Sequence, residues 1–109
     1  MSTPLVFKFG GASVKDAQSV RNVASIIGQF SQRPMVVVVS AMGKMTNAFE
    51  EVVADWSNGN LSEASAKIDA IAAFHQHIIN ELFEDATEIN EHVGILIASI
   101  REGLNTELN

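Results

Sequence analysis

The sequence predicts an α/β fold that opens with a βαβ unit and continues into a helical hairpin. Two short apolar runs, residues 5–9 and 35–39, have the length and the aromatic or β-branched content of buried strands. Each run is followed by a loop of small residues and then by apolar residues at helical spacing. Two longer helical patterns follow between residues 60 and 104, without a third strand pattern. The strand, helix, strand order indicates a parallel pair with a right-handed crossover.

The first strand run is too apolar for a strand with one face exposed to solvent. We therefore expect residues 5–9 to be covered on both faces, as strands of parallel sheets are. Two parallel strands alone leave two open edges and bury little surface. The chain is thus expected to be the front part of a larger α/β domain.

The first helix is predicted to follow the first loop and to stop before Pro34. Either Asp16 or Ser13 can cap its start, because both side chains accept hydrogen bonds from backbone amides. Residues 31–34 break the pattern, since the residue before a proline is pushed out of the helical region. The predicted apolar face consists of Ala17, Val20, Val23, Ala24, Ile27 and Phe30.

The second helix is predicted to begin at a capping box formed by Asn47 and Glu50. A turn at residues 58–60 ends it, and Asn60 with Glu63 repeats the capping spacing for the third helix. The predicted apolar stripe of the second helix is Phe49, Val52, Val53 and Trp56.

The third and fourth helices are predicted to pair as an antiparallel hairpin, with a break at residues 84–87. The predicted buried face of the third helix is Ala64, Ile68, Ile71, His75, Ile78 and Leu82. That of the fourth is Ile89, Val93, Leu96, Ile97, Ile100 and Leu104.

Composition indicates one globular domain in the cytoplasm. The 109 residues are 47% hydrophobic and 18% charged, which is enough apolar material to form a core. The net charge of -6 argues against general nucleic-acid binding, which needs a basic surface. There is no cysteine, no signal-peptide pattern and no apolar run long enough to span a bilayer. We therefore predict neither a nucleic-acid nor a membrane partner.

Residues 8–13 are the first candidate site, because they join the first strand to a helix through two adjacent glycines. Gly10 and Gly11 let the backbone take positive φ angles and let a ligand approach the backbone closely. Backbone amides in such a turn form an anion site, and Lys8 supplies a positive charge. The alternative is an ordinary strand-to-helix turn with a solvated lysine.

Residues 40–46 form the second candidate loop, directly after the second strand. The carboxyl ends of parallel strands lie at one edge of the sheet, where ligands bind in open α/β sheets. We therefore expect the two loops to lie side by side.

Two similar patterns are excluded. A P-loop needs glycine at position 38 and serine or threonine at position 45, but this chain has Val38 and Met45. His75 and His77 are two residues apart on a helix and cannot share a metal ion, and a half-buried His75 is the simpler interpretation. We predict no metal-binding residues.

Together, the two loops resemble a known family. Residues 6–14, Val-Phe-Lys-Phe-Gly-Gly-Ala-Ser-Val, resemble the N-terminal signature of aspartokinases, and residues 38–47, Val-Val-Ser-Ala-Met-Gly-Lys-Met-Thr-Asn, resemble their second loop. The order and the approximate spacing also match. The resemblance implies the front part of a three-layer α/β/α amino-acid kinase (carbamate-kinase-like) fold over residues 1–109. Residues 1–57 would then be the βαβα unit that carries both loops, and 58–109 the helical hairpin. A glutamate or uridylate kinase fits the second loop less well.

The resemblance implies an ATP-dependent kinase that converts L-aspartate to 4-phospho-L-aspartate in lysine, threonine and methionine biosynthesis, with Mg²⁺ carried by the nucleotide. It implies that Lys8 is catalytic and contacts the phosphates. The implied nucleotide-binding residues are Lys8, Gly10, Gly11, Ala12 and Ser13. The implied aspartate-side residues are Ser40, Ala41, Gly43 and Thr46.

Simpler interpretations stay open for three hydroxyls: Ser13 and Thr46 as plain helix caps, and Ser40 as an ordinary loop residue. Two positions depart from the family pattern. Ala12 stands where threonine is usual, which removes one side-chain hydrogen bond. Lys44 stands where a small or apolar residue is common, and is either solvated or within reach of an anion.

The family's acidic catalytic residue, aspartate-binding arginine and adenine pocket are expected beyond residue 109. We therefore expect the isolated chain to be inactive and to associate with itself or with the rest of such a domain. The alternative is a catalytically silent module for folding or assembly. The DNA downstream of the Asn109 codon would distinguish the two. Regulatory ACT domains or a dehydrogenase domain cannot be inferred from these residues.

Overall fold

The structure, a computed structural model, describes residues 3–107. Over that range the chain forms two strands, four α-helices and one turn of 3-10 helix. The elements are β1 (Leu5–Phe9), the 3-10 turn (Gly11–Val14), α1 (Ala17–Gln29), β2 (Met35–Val39), α2 (Met45–Ser57), α3 (Leu61–Leu82) and α4 (Thr87–Glu107). The chain divides into two compact units between Thr46 and Asn47. The functional subdivision at residue 57 stays a prediction.

The first unit is built on a parallel pair of strands, as the sequence predicts. The register runs from Leu5 opposite Met35 to Phe9 opposite Val39. Side chains alternate along a strand, so Phe7 and Phe9 point to the same face. That face carries the core, which consists of Phe9, Val14 and Val23 with Phe7, Val20, Ile26, Ile27, Val37 and Met42 packed around them.

The opposite face of the sheet is open. Val6, Val36 and Val38 are 70%, 52% and 48% exposed. The expectation that both faces are covered is therefore wrong within this chain. An apolar run shows that a strand can be buried on both faces. It does not show whether the residues that pack on those faces belong to the same chain.

Asp16, rather than Ser13, caps α1. Its carboxylate accepts a hydrogen bond from the Ser19 amide at 2.8 Å, and Ser13 lies inside the 3-10 turn. The predicted apolar face holds for four of its six members. Ala24 and Phe30 are exposed, whereas Ile26, which was not predicted, packs on the core.

In the second unit, both predicted capping boxes are wrong. α2 begins at Met45, so Asn47 lies within its first turn. Asn60 does precede α3, but its side chain makes no capping hydrogen bond. Gly59 turns the chain between the two helices with a φ of 79°, which confirms the predicted break. Val53 is 54% exposed and does not belong to the buried stripe of α2.

Side-chain contacts near both ends of α3 and α4 confirm the antiparallel hairpin. Asn90 donates to Asn80 at 3.1 Å near one end, and Arg101 contacts Asp69 near the other. Leu96 is 63% exposed, contrary to its predicted place on the buried face. The buried residues of α3 are Ala64, Ile68, Ile71, Ile78 and Ile79.

His75 is half-buried in α3, as predicted, and its Nδ1 lies 2.8 Å from the Ile71 carbonyl oxygen. No helix among residues 3–107 is both long enough and apolar enough to cross a membrane.

Candidate functional site

Both candidate loops leave the sheet at the same edge. The strand register ends with Phe9 opposite Val39, and the next residues are Gly10 and Ser40. The Ser40 amide donates to the Phe9 carbonyl at 2.9 Å, which carries the pairing one step beyond the strands. The predicted side-by-side placement of the two loops is therefore confirmed.

The loops contact each other through their backbones. The Gly43 amide donates to the Gly11 carbonyl at 3.1 Å. A Cβ added at Gly11 would lie 2.5 Å from the Gly43 carbonyl oxygen and 3.1 Å from that of Ala41. The first distance is closer than a side-chain carbon can approach a backbone oxygen. Glycine at position 11 is required because the second loop occupies the space that a side chain would fill.

Neither Gly10 nor Gly11 uses the positive φ angles that glycine allows. Gly10 is extended, with φ -77° and ψ 175°, and Gly11 begins the 3-10 turn. Among the described residues of the two loops, the positive φ belongs to Gly43, at 54°, where the second loop turns into α2. The adjacent glycines thus serve close approach rather than a left-handed backbone.

Lys8 and Gly10 face the open side of the sheet. Lys8 alternates with the core residues Phe7 and Phe9, and is exposed. Because the backbone stays extended through Gly10, a side chain there would project on the same side as Lys8. A Cβ at Gly10 would meet no atom within 4 Å. The space over Gly10, next to the Lys8 strand position, is therefore accessible to a ligand.

The start of the 3-10 turn presents backbone donors. The Ser13 amide donates to the Gly10 carbonyl at 3.0 Å. The amides of Gly11 and Ala12 precede it and donate to no backbone carbonyl in the described part of the chain. Amides at the beginning of a helical turn attract anions, and a lysine on the preceding strand adds a full positive charge. This arrangement suits a phosphate group.

The other predicted site residues are also exposed in this unit. Ser13 lies in the 3-10 turn, Ser40 and Ala41 follow β2, and Thr46 lies in the first turn of α2. Neither Ser13 nor Thr46 is an N-cap, because Asp16 caps α1 and α2 begins one residue before Thr46. The simpler interpretation of both hydroxyls as caps is therefore wrong. Lys44 is exposed as well.

Two further residues belong to the surroundings of the site. Met42, in the second loop, packs on the core formed by Phe9, Val14 and Val23, which anchors that loop. The sequence feature that could have indicated Met42 is a large apolar side chain within a loop of small residues. Lys15 lines an open hollow of about 430 Å³ beside Ala12 and Ser13. The sequence feature that could have indicated Lys15 is its position directly after the turn.

Comparison with known proteins decides the family. Residues 3–108 match the sequence profile of the amino acid kinase family. The chain belongs to this family. Membership of this family agrees with the parallel α/β unit that carries both loops.

Similar curated proteins are aspartokinases, which confirms the resemblance seen in the two loops. An aspartokinase of Chlamydia trachomatis is 34% identical over 98% of this chain and 27% of the relative. Two chloroplastic proteins of Arabidopsis thaliana are also similar. Aspartokinase 2 is 35% identical over 81% of this chain, which corresponds to 16% of the length of that relative. Aspartokinase 1 is 38% identical over 77% of this chain, which corresponds to 15% of the length of that relative. The chain thus spans about a quarter or less of the length of these relatives.

Proposed function

We propose that this chain carries the phosphate loop and the acceptor loop of an aspartate kinase. The reaction transfers the terminal phosphoryl group of ATP to the side-chain carboxylate of L-aspartate, giving 4-phospho-L-aspartate and ADP, and opens lysine, threonine and methionine biosynthesis. The observation that supports this most directly is the backbone contact of Gly11 with Gly43, which holds the two loops together at one sheet edge. The similarity to aspartokinases supports the choice of substrate.

The first loop suits the phosphates. Phosphoryl transfer is catalysed mainly by positioning and by neutralising charge on the transferred group. We assign Lys8 to that charge, and the amides of Gly11 and Ala12 to the phosphate oxygens. Gly10 keeps the approach open because it has no side chain, and Ser13 adds a hydroxyl next to the same amides. Mg²⁺ would be held by the phosphates of the nucleotide, as is usual for this ion.

The second loop suits the acceptor. Ser40, Ala41 and Gly43 lie against the first loop, and Thr46 follows in the first turn of α2. We assign these four residues to the side of the site that holds aspartate. The acceptor carboxylate would then lie next to the terminal phosphate, which is the arrangement that transfer requires.

A second candidate function is assembly without catalysis. The open valine face of β1 and β2 favours it, since Val6, Val36 and Val38 are roughly half or more exposed. An exposed apolar sheet face is a surface for association. A chain that spans 27% of an aspartokinase could serve as such a module.

Amide chemical shifts of the chain during titration with MgATP distinguish the two functions. The kinase assignment predicts saturable shifts at residues 10–13, weakened about tenfold in Lys8→Ala because one charged contact is lost. Lys67→Ala is the matched control, since it removes the same charge on α3, in the second unit, and the affinity for MgATP should change less than about twofold.

Absence of shifts in the loops, or equal weakening by the two lysine variants, would contradict the kinase assignment. Shifts on the valine face that depend only on protein concentration would favour assembly.

A further inference from the structure

A cavity of about 130 Å³, partly open to solvent, lies in the second unit, between α2, α3 and α4. It is separate from the loops described above, which belong to the first unit. Its volume is close to that of an engineered apolar protein cavity, about 150 Å³, that binds benzene. It can therefore hold a compact apolar group of about six heavy atoms.

The floor and one wall of the cavity are apolar and held in place. Ala64 and Ile68, on α3, are each 3% exposed. Trp56, on α2, lines the wall, and its indole N–H donates to the Leu104 carbonyl on α4 at 3.0 Å. This hydrogen bond sets the orientation of the ring. The pocket thus exists before a ligand arrives, which favours binding.

The rim carries a positive charge. The Arg101 guanidinium lies 3.5 Å from the Ser65 hydroxyl through Nη1 and contacts the Asp69 carboxylate through Nη2. The Asp69 side chain is 69% exposed, so this ion pair is formed largely in solvent. A guanidinium has five N–H donors, and these two contacts leave donors for a further carboxylate.

We propose that this cavity binds a small carboxylate with a compact apolar body. The apolar body would lie on Ala64 and Ile68 against the Trp56 ring, and the carboxylate would be held by Arg101 at the rim. An amine is disfavoured by the charge of Arg101, and a larger body by the volume. The proposal does not depend on the kinase assignment, because no residue is shared between the two sites.

Tryptophan fluorescence tests this directly, because Trp56 is the only tryptophan in the chain. The probe is 4-methylpentanoate, titrated into the 109-residue chain at pH 7. We expect a saturable change with a dissociation constant on the order of a millimolar, as befits a ligand of eight heavy atoms. The neutral 4-methylpentanamide should bind about tenfold more weakly, and acetate should give no saturable change.

Three variants locate the site. Arg101→Gln should weaken binding of 4-methylpentanoate about tenfold and remove the difference between the acid and the amide. Ala64→Leu fills the cavity and should abolish binding, whereas Ala98→Leu, which adds the same side chain at an exposed position of α4, should not. Asp69→Asn keeps Arg101 but removes its competing carboxylate, and should leave binding unchanged or stronger.

Circular dichroism verifies that each variant is folded. If Ala64→Leu does not fold, the proposal is still tested by comparing the affinities of Arg101→Gln for 4-methylpentanoate and 4-methylpentanamide. No saturable change up to about 20 mM, equal binding of acid and amide in the unsubstituted chain, or unchanged binding in Arg101→Gln would overturn the proposal.

Discussion

The Gly43 amide donates to the Gly11 carbonyl at 3.1 Å, and a Cβ at Gly11 would lie 2.5 Å from the Gly43 carbonyl oxygen. These two glycines therefore set the separation of the loops through backbone atoms alone. This backbone contact joins the two loops that carry Ser13 and Ser40.

Gly11→Ala should destabilise the chain by about 1–3 kcal/mol, because the new methyl group forces two backbone segments apart. The matched control is Gly10→Ala, where a Cβ meets no atom within 4 Å. Its φ of -77° also suits alanine, so its effect should stay within about 0.5 kcal/mol. Urea unfolding followed by circular dichroism measures both. Equal stability of the two variants would mean that the loops do not touch as described.

The Asp16 cap should make stability depend on pH. The hydrogen bond from the Ser19 amide, reinforced by the Ser19 side chain, holds the pKa of the Asp16 carboxyl below its ordinary value. The unfolded chain restores the ordinary pKa of about 3.9. The cap therefore contributes fully above that pH, and its contribution is lost as pH falls through the lower folded pKa.

Asp16→Ala should accordingly be less stable than the unsubstituted chain at pH 7, with the difference shrinking at pH 3 and below. Asp16→Asn retains an acceptor oxygen without the charge, and should show a smaller loss with no such pH dependence. Unfolding free energies at pH 7, 5 and 3 give the comparison. A difference that grows toward low pH would contradict the assigned cap.

The isolated chain should show no measurable aspartate kinase activity. It spans 27% of the Chlamydia trachomatis aspartokinase, and the family resemblance places an acidic catalytic residue and an aspartate-binding arginine outside these 109 residues. Each such group can be worth several kcal/mol of transition-state stabilisation. A coupled assay for ADP measures this. Aspartate-dependent ADP release by the pure chain, abolished in Lys8→Ala, would refute it.

The chain should self-associate at low micromolar concentration. The valine face of the sheet is open, and Leu96 on α4 is 63% exposed. Covering apolar surface contributes about 25 cal/mol per Å². The double variant Val36→Thr, Val38→Thr should reduce association if the sheet face is responsible, and Leu96→Gln if the hairpin is. Sedimentation velocity distinguishes these cases. A compact monomer that unfolds cooperatively would contradict the prediction.

The local sequence pattern determined most of the secondary structure of this protein. The β-branched run at residues 35–39, the turn at Gly59 and the cap at Asp16 depend on residues close together in the chain. Sequence alone therefore placed both strands, the helical hairpin and the two loops at one sheet edge. The same short-range information allowed errors of detail, such as a capping box at Asn47, because several polar residues near a helix start are equally able to cap it.

Tertiary structure decided which atoms from distant parts of the chain meet. In sequence, a glycine at position 11 could serve either a left-handed turn or the close approach of another backbone segment. Only the contact with Gly43 in the structure shows that it serves close approach. Arg101 and Asp69 are 32 residues apart, yet they meet at the rim of the cavity. Val36 looks as buried as Val37 in sequence, but only one face of the sheet is covered. Periodicity reports which side of an element can be buried, whereas the path of the whole chain decides what lies against it.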